Sequence, residues 1–160
     1  MDTKTLLKLQ EIAAMRNEQG YFIAFDRLLK SFGVWACMGA GVPKYHCPLN
    51  RGSDVRRDEN GERIFPVSDT EADILNAVIA QIMLFNRVGF ALFKAIYVFN
   101  LPLSDVKDSK FFRRLFRLNR LPFDDDAIID LLEAFNERVR VKLLSLDTKE
   151  QNKKGAGYGA

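Results

Sequence analysis

The chain has 160 residues, nearly half of them hydrophobic, and a formal net charge of only +3. That is long enough for one domain with a real core, and the composition excludes a disordered polyelectrolyte; two cysteines exclude a disulfide scaffold. A membrane span needs about 20 apolar residues, and the most apolar stretch, 74–103, is interrupted by Asn76, Gln81, Asn86, Arg87 and Lys94.

In chain order, Thr3 or Thr5 is expected to cap a first helix with Leu6, Leu9, Ile12 or Ala13 and Arg16 at helical spacing, ended by Gly20. A second helix is predicted over 22–30, with Phe22, Phe25, Leu28 or Leu29 and Phe32 on one face. The stretch SFGVWACMGAGVPKYHCP carries Gly33, Gly39, Gly41, Pro43 and Pro48, which predict turns and irregular backbone around Trp35, the single tryptophan. Residues 50–66 are charged and polar, with Asn60-Gly61 as a tight turn, and are expected to form a long mobile loop.

Ser68 and Glu71 have capping-box spacing and predict a third helix whose apolar face runs from Ile74 through Phe85. After a turn at 86–89, the next helix carries Phe90, Phe93 and Ile96 and is bounded by Pro102. Ser104 is expected to start a short helix that merges with the basic stretch KFFRRLFRLNR, which Leu121-Pro122 stops. Asp124, Asp125 and Asp126 then suit the N-terminus of a long last helix with Ile128, Leu131 or Leu132, Phe135, Val139, Leu143 and Leu146 inward. The expected core is Ile74, Ile79, Ile82, Phe93, Ile96, Leu115, Leu131, Phe135 and Val139. The fold class that follows is mostly α: one helical domain over 1–146, with a disordered, glycine-rich tail over 147–160.

Candidate chemistry is sparse. Cys37, His46 and Cys47 have C-x8-H-C spacing, unlike the paired spacings of structural zinc sites, and a fourth ligand would fall to an aspartate such as Asp54. No third group orients a Cys–His pair, Gly39 and Gly41 lack the strand–helix context of a phosphate loop, and helix capping explains the three aspartates. No cofactor and no enzymatic activity are therefore expected. The charged N-terminal stretch MDTKTLLKLQEIAAMRNEQ does not read as a signal peptide, which makes the cytoplasm the expected location.

Local charge is the informative feature. From Lys107 to Arg120 there are two lysines and four arginines against one acid, Asp108. At about 100° per residue, Lys110, Arg113, Arg114, Arg117 and Arg120 gather on one side of a helix. Phe111, Phe112, Leu115, Phe116 and Leu118 are expected on the other side, against a core. Guanidinium groups so arranged suit phosphate oxygens. An ordinary solvated face, or docking on an acidic protein surface by a helical interaction module such as a phage adaptor or inhibitor, are the alternatives.

Three segments resemble a known family. LLKSFGVWACMGAG is similar to the leucine–aromatic–Gly–x–Trp–small–x–x–Gly segment of the phage late-gene antitermination protein Q-like family. SDTEADILNAVIAQI followed by LFKAIY resembles the Ser/Thr-Asp-x-Glu-Ala helix and the Tyr-ending helix of these proteins. LPLSDV stands where they begin a helix-turn-helix similar to the promoter-reading domain of sigma factors. The resemblance implies a regulator in a bacterial host cell that binds double-stranded DNA, joins RNA polymerase and makes it read through terminators. It makes the long last helix the counterpart of the base-reading helix; the local charge adds expected DNA contacts at Lys107, Lys110, Arg113, Arg114, Arg117 and Arg120, with Ser104 starting the helix-turn-helix and Trp35 structural or facing polymerase. Two departures stand beside it: the aspartates at the start of the last helix repel phosphates there, and the paired-cysteine zinc motif of some Q proteins is absent.

Overall fold

The structure, a computed structural model, describes residues 2–38 and 56–147. Among them are seven α-helices, one π-helical turn and no β-strand; an isolated bridge pairs Arg57 with Arg63. No helix among the described residues is long and apolar enough to cross a membrane.

Helix α1, Thr3–Ala14, is capped by Asp2 rather than by a threonine: the Asp2 carboxylate accepts from the Lys4 N–H and from the Thr5 hydroxyl. It buries Leu6, Leu9 and Ala13; Arg16 lies beyond its end, over the ring of Phe22. Helix α2 runs Ile23–Cys37, seven residues further than the glycine at 33 suggested. Phe32, Trp35 and Ala36 continue the helical spacing and are buried, so packing outweighs the low helix propensity of one glycine. Gly33 serves close approach instead of a turn, since a Cβ there would lie 1.9 Å from the carbonyl oxygen of Tyr97.

The loop before α3 contributes to the interior as well as the surface. The turn at Asn60-Gly61 forms as expected, with Gly61 at φ +79°. Arg56 and Ile64, however, are buried, and the Arg56 guanidinium donates to the carbonyls of Tyr97 and Val98. Helix α3, Asp69–Met83, begins with the expected reciprocal cap of Ser68 and Glu71. The Trp35 indole N–H donates to Asp69 at 2.8 Å, which gives that tryptophan a structural place between α2 and α3. Phe85 falls outside the apolar face, 81% exposed in the turn after α3. The turn expected at 86–89 lies at 84–85 instead, and Asn86 caps α4, Arg87–Phe93, which continues as a π-helical turn, Lys94–Val98.

Helix α5, Leu103–Asp108, and helix α6, Lys110–Leu118, do not merge, because Ser109 between them is extended and caps α6. Ser104 is not the cap of α5, a place held by Pro102. Helix α7, Asp125–Ser145, is capped by Asp124, whose carboxylate accepts from the Ala127 N–H at 2.8 Å. Its last carbonyls, at Leu143 and Leu146, are met by the Gln10 amide of α1, which satisfies groups a helix C-terminus otherwise leaves to water.

Two clusters of buried side chains result. The larger joins α1, α2, α3, the aromatic side of α4 and the second half of α7. The smaller, Val88, Leu92, Ala95, Val106, Phe112, Phe116 and Ile128, fastens α5, α6 and the start of α7 to the other side of α4. Of the expected core, Ile74, Ile79, Phe93, Phe135 and Val139 are buried, while Ile82, Ile96, Leu115 and Leu131 are half-buried at its margins.

Two substitutions test this packing. Phe135, fully buried between Phe90 and Phe93, should cost about 3–5 kcal/mol in denaturant unfolding when truncated to Ala. Gly33→Ala adds a methyl group that α2 and the Tyr97 backbone can only accommodate by separating. It should cost about 1–3 kcal/mol, whereas an ordinary mid-helix Gly→Ala change stabilises.

Candidate nucleic-acid interface

The second cluster determines which way α6 faces. Phe112 and Phe116, one turn apart, are buried and define its inner line. Opposite them Lys110, Arg113, Arg114 and Arg117 are exposed, as is Arg120 just beyond the helix. Among the described residues no carboxylate pairs with any of these five. Lys8, Arg27, Lys30 and Arg140 elsewhere each hold an acid within 4.0 Å.

The inner face is narrower than the sequence pattern suggested. Phe111 is 63% exposed and Leu118 68% exposed, although both were expected against the core. Phe112 and Phe116 point at about 200° and 240° from Lys110, whereas Phe111 and Leu118 fall near 100° and 80°. A two-way division of residues into basic and apolar hid this third sector. The Phe111 ring is braced edge-on by Phe112, centroids 5.2 Å apart.

The remaining expected contacts divide. Lys107 is committed within the molecule: its ammonium lies 2.8 Å from Asp125 in the first turn of α7. That hydrogen bond, with the nearby charge of Asp125, holds the lysine above its ordinary pKa. Ser104 is exposed in the first turn of α5, one element away from the arginines. Asp124 is spent on capping and Asp125 on Lys107, leaving Asp126 as an exposed carboxylate at the start of α7.

The turn from α6 to α7 carries backbone strain. Arg120 has φ +55°, and the Leu121 N–H reaches back to the Phe116 carbonyl at 2.9 Å while the Arg120 N–H reaches Arg117 at 3.1 Å. This is the Schellman ending of a helix, in which glycine is the usual residue at the left-handed position. Here an arginine occupies it, and the Phe116 and Phe123 rings, 4.9 Å apart, close the turn from within.

Most of the weak metal candidates fall outside the described part of the chain. Cys37 is buried within α2, His46, Cys47 and Asp54 lie outside the described residues, and no group of three metal-ligating side chains occurs among those described. A separate groove of about 570 Å³ between α2, the π-helical turn and α7 is lined by Phe25, Leu132 and the polar residues Asp26, Tyr97 and Asn136. The Tyr97 hydroxyl donates to Asp26 and accepts from the Asn136 amide; burial, and then the Asp26 charge, push its pKa far up, so it stays a neutral phenol.

Comparison with protein-family models, curated proteins and solved structures found no match.

Arg120→Gly relieves the left-handed strain, which costs an L-residue roughly 1–2 kcal/mol, and loses part of that gain to the flexibility of unfolded glycine. The expected net stabilisation is about 0.5–1 kcal/mol in chemical denaturation. No gain would mean that the turn in solution differs from the one described.

Proposed function

We propose that the protein is a non-enzymatic, DNA-binding transcription regulator of the phage Q-type antiterminator kind, acting with RNA polymerase to promote read-through of terminators. The observation that carries the DNA-binding part is the exposed row Lys110, Arg113, Arg114, Arg117 and Arg120, held outward by a buried phenylalanine pair and without ion-paired counter-charges among the described residues. A polyanion gains most from such a surface, because each neutralised phosphate releases a condensed counterion. The absence of an acid in the first turn of α6 keeps that end of the helix positive as well.

The succession α5, α6, a turn and α7, built on one small cluster, supports a sigma-like helix-turn-helix reading of this half. In that reading α6 carries the principal contacts. The first turn of α7 is unsuited to phosphate, since Asp125 and Asp126 are exposed there. Ser104 is an auxiliary contact at most, and Lys107 positions α7 through Asp125. Association with polymerase and the antitermination role rest on the resemblance of the three sequence segments.

Arg113→Ala and Arg117→Ala remove exposed guanidinium groups one turn apart and should leave the melting temperature unchanged. Each should weaken binding to specific and random duplex alike and make the slope of log affinity against log salt shallower by about one unit. Retained DNA affinity with lost polymerase association would transfer this face to protein docking. A double variant that behaves as wild type with both partners would leave only a solvated surface.

A further inference from the structure

The exposed arc of α6 is divided lengthwise. Arg114 stands at its outermost line, directly opposite the buried pair Phe112 and Phe116. On one side of Arg114 lie Lys110, Arg113 and Arg117; on the other lie Phe111 and Leu118, both nearly two-thirds exposed. Each edge spans seven residue steps, roughly 10 Å along the axis.

This asymmetry discriminates between forms of nucleic acid. A helix seated in a duplex groove meets phosphates on both walls, so two basic flanks suit it, and here one flank is apolar. An unpaired strand has the matching division, with phosphates along one side and open base faces along the other. Aromatic side chains beside a positive track are the usual means of holding such a strand, since every base presents a stacking face. At about 3.4 Å per stacked nucleotide, each edge spans roughly three of them.

Resting on the nucleic-acid reading of this helix, we infer that α6 binds an unpaired strand lengthwise, phosphates against Lys110, Arg113 and Arg117 and a base stacked on Phe111. Leu118 continues the apolar track and Arg114 bridges the two sides. The bracing of Phe111 by Phe112 limits the rotational freedom its ring must lose on stacking. The nucleic acid presented to this protein is then locally melted, as DNA is where a strand has been opened, and a fully paired duplex engages only the basic edge.

The test uses the full chain and one labelled sequence in three forms: single strand, paired duplex, and duplex with a central mismatched bubble. Affinity is read by fluorescence anisotropy at one salt concentration. Wild type should prefer the single strand and the bubble to the paired duplex. Phe111→Ala should weaken binding to those two forms by roughly tenfold, with paired duplex changed less than about twofold, and Phe111→Trp should retain binding. Leu118→Ala should act in the same direction more weakly. Both positions are exposed, and thermal melts of the variants check that each is folded.

Unchanged or equal affinities of Phe111→Ala for all three forms, with Arg113→Ala still weakening them, would overturn the strand assignment and leave the DNA-binding reading standing. No binding of any form by wild type would remove both. Self-association of wild type that Phe111→Ala abolishes, with no preference for unpaired bases, would assign the apolar edge to a second copy of the chain and overturn the proposal.

Discussion

The segment from Arg87 to Val98 is buried on two sides, and the rest of the molecule depends on that. Phe90, Phe93, Tyr97 and Val98 belong to the larger core; Val88, Leu92 and Ala95 belong to the smaller one. Ordinary amphipathic helices bury one stripe, whereas a helix apolar nearly all round must be enclosed. The change from α-helical to π-helical winding at Lys94–Val98 accompanies a close backbone approach, where Gly33 brings α2 against the Tyr97 carbonyl. The carbonyls of Tyr97 and Val98 are served by the buried Arg56 guanidinium, so the same point is secured by packing and by charge-assisted hydrogen bonds. Helix α7 repeats the division along its length, with Ile128 in the small core and Phe135, Val139 and Leu143 in the large one.

The orientation of α6 follows. With Phe112 and Phe116 as its anchors in the small core, its basic side chains are exposed and form no ion pair among the described residues. Lys107 shows what an available carboxylate does nearby: it captures the cation and ties α5 to α7. The left-handed Arg120 extends the positive surface one step past the helix at a conformational cost that a glycine would avoid. Strain retained together with unpaired charge is the pattern expected of a binding surface, and it supports the nucleic-acid reading from a direction independent of sequence resemblance.

Much of this was legible in the chain because local chemistry and global packing agree. Ser68 with Glu71, and Asp124 ahead of a long apolar period, carry their own N-terminal hydrogen bonds and mark two helices without help from elsewhere. The extension of α2 to Cys37 was hidden because a glycine reads as a breaker until its neighbour, the Tyr97 backbone, is known. Arg56 was hidden for the same reason, since a charge in a polar stretch reads as surface until buried carbonyls are there to receive it. At α6 the basic residues are legible in the sequence, but the outward position of Phe111 and Leu118 is not, because apolar character alone does not say which side of a helix a small core can cover. Lys107 was grouped with the arginines because its partner, Asp125, is brought near only by the turn after α6.

The central claim is that nucleic acid meets this protein on α6 and its following turn. An isotope-labelled sample titrated with DNA and followed by heteronuclear NMR tests it residue by residue. Resonances of 109–121 should shift together, including the guanidinium Nε signals of Arg113, Arg114 and Arg117, while those of α1 and α3 stay in place. Shifts centred instead on the groove between α2 and α7, around Asp26, Tyr97 and Asn136, with α6 unperturbed, would contradict the claim.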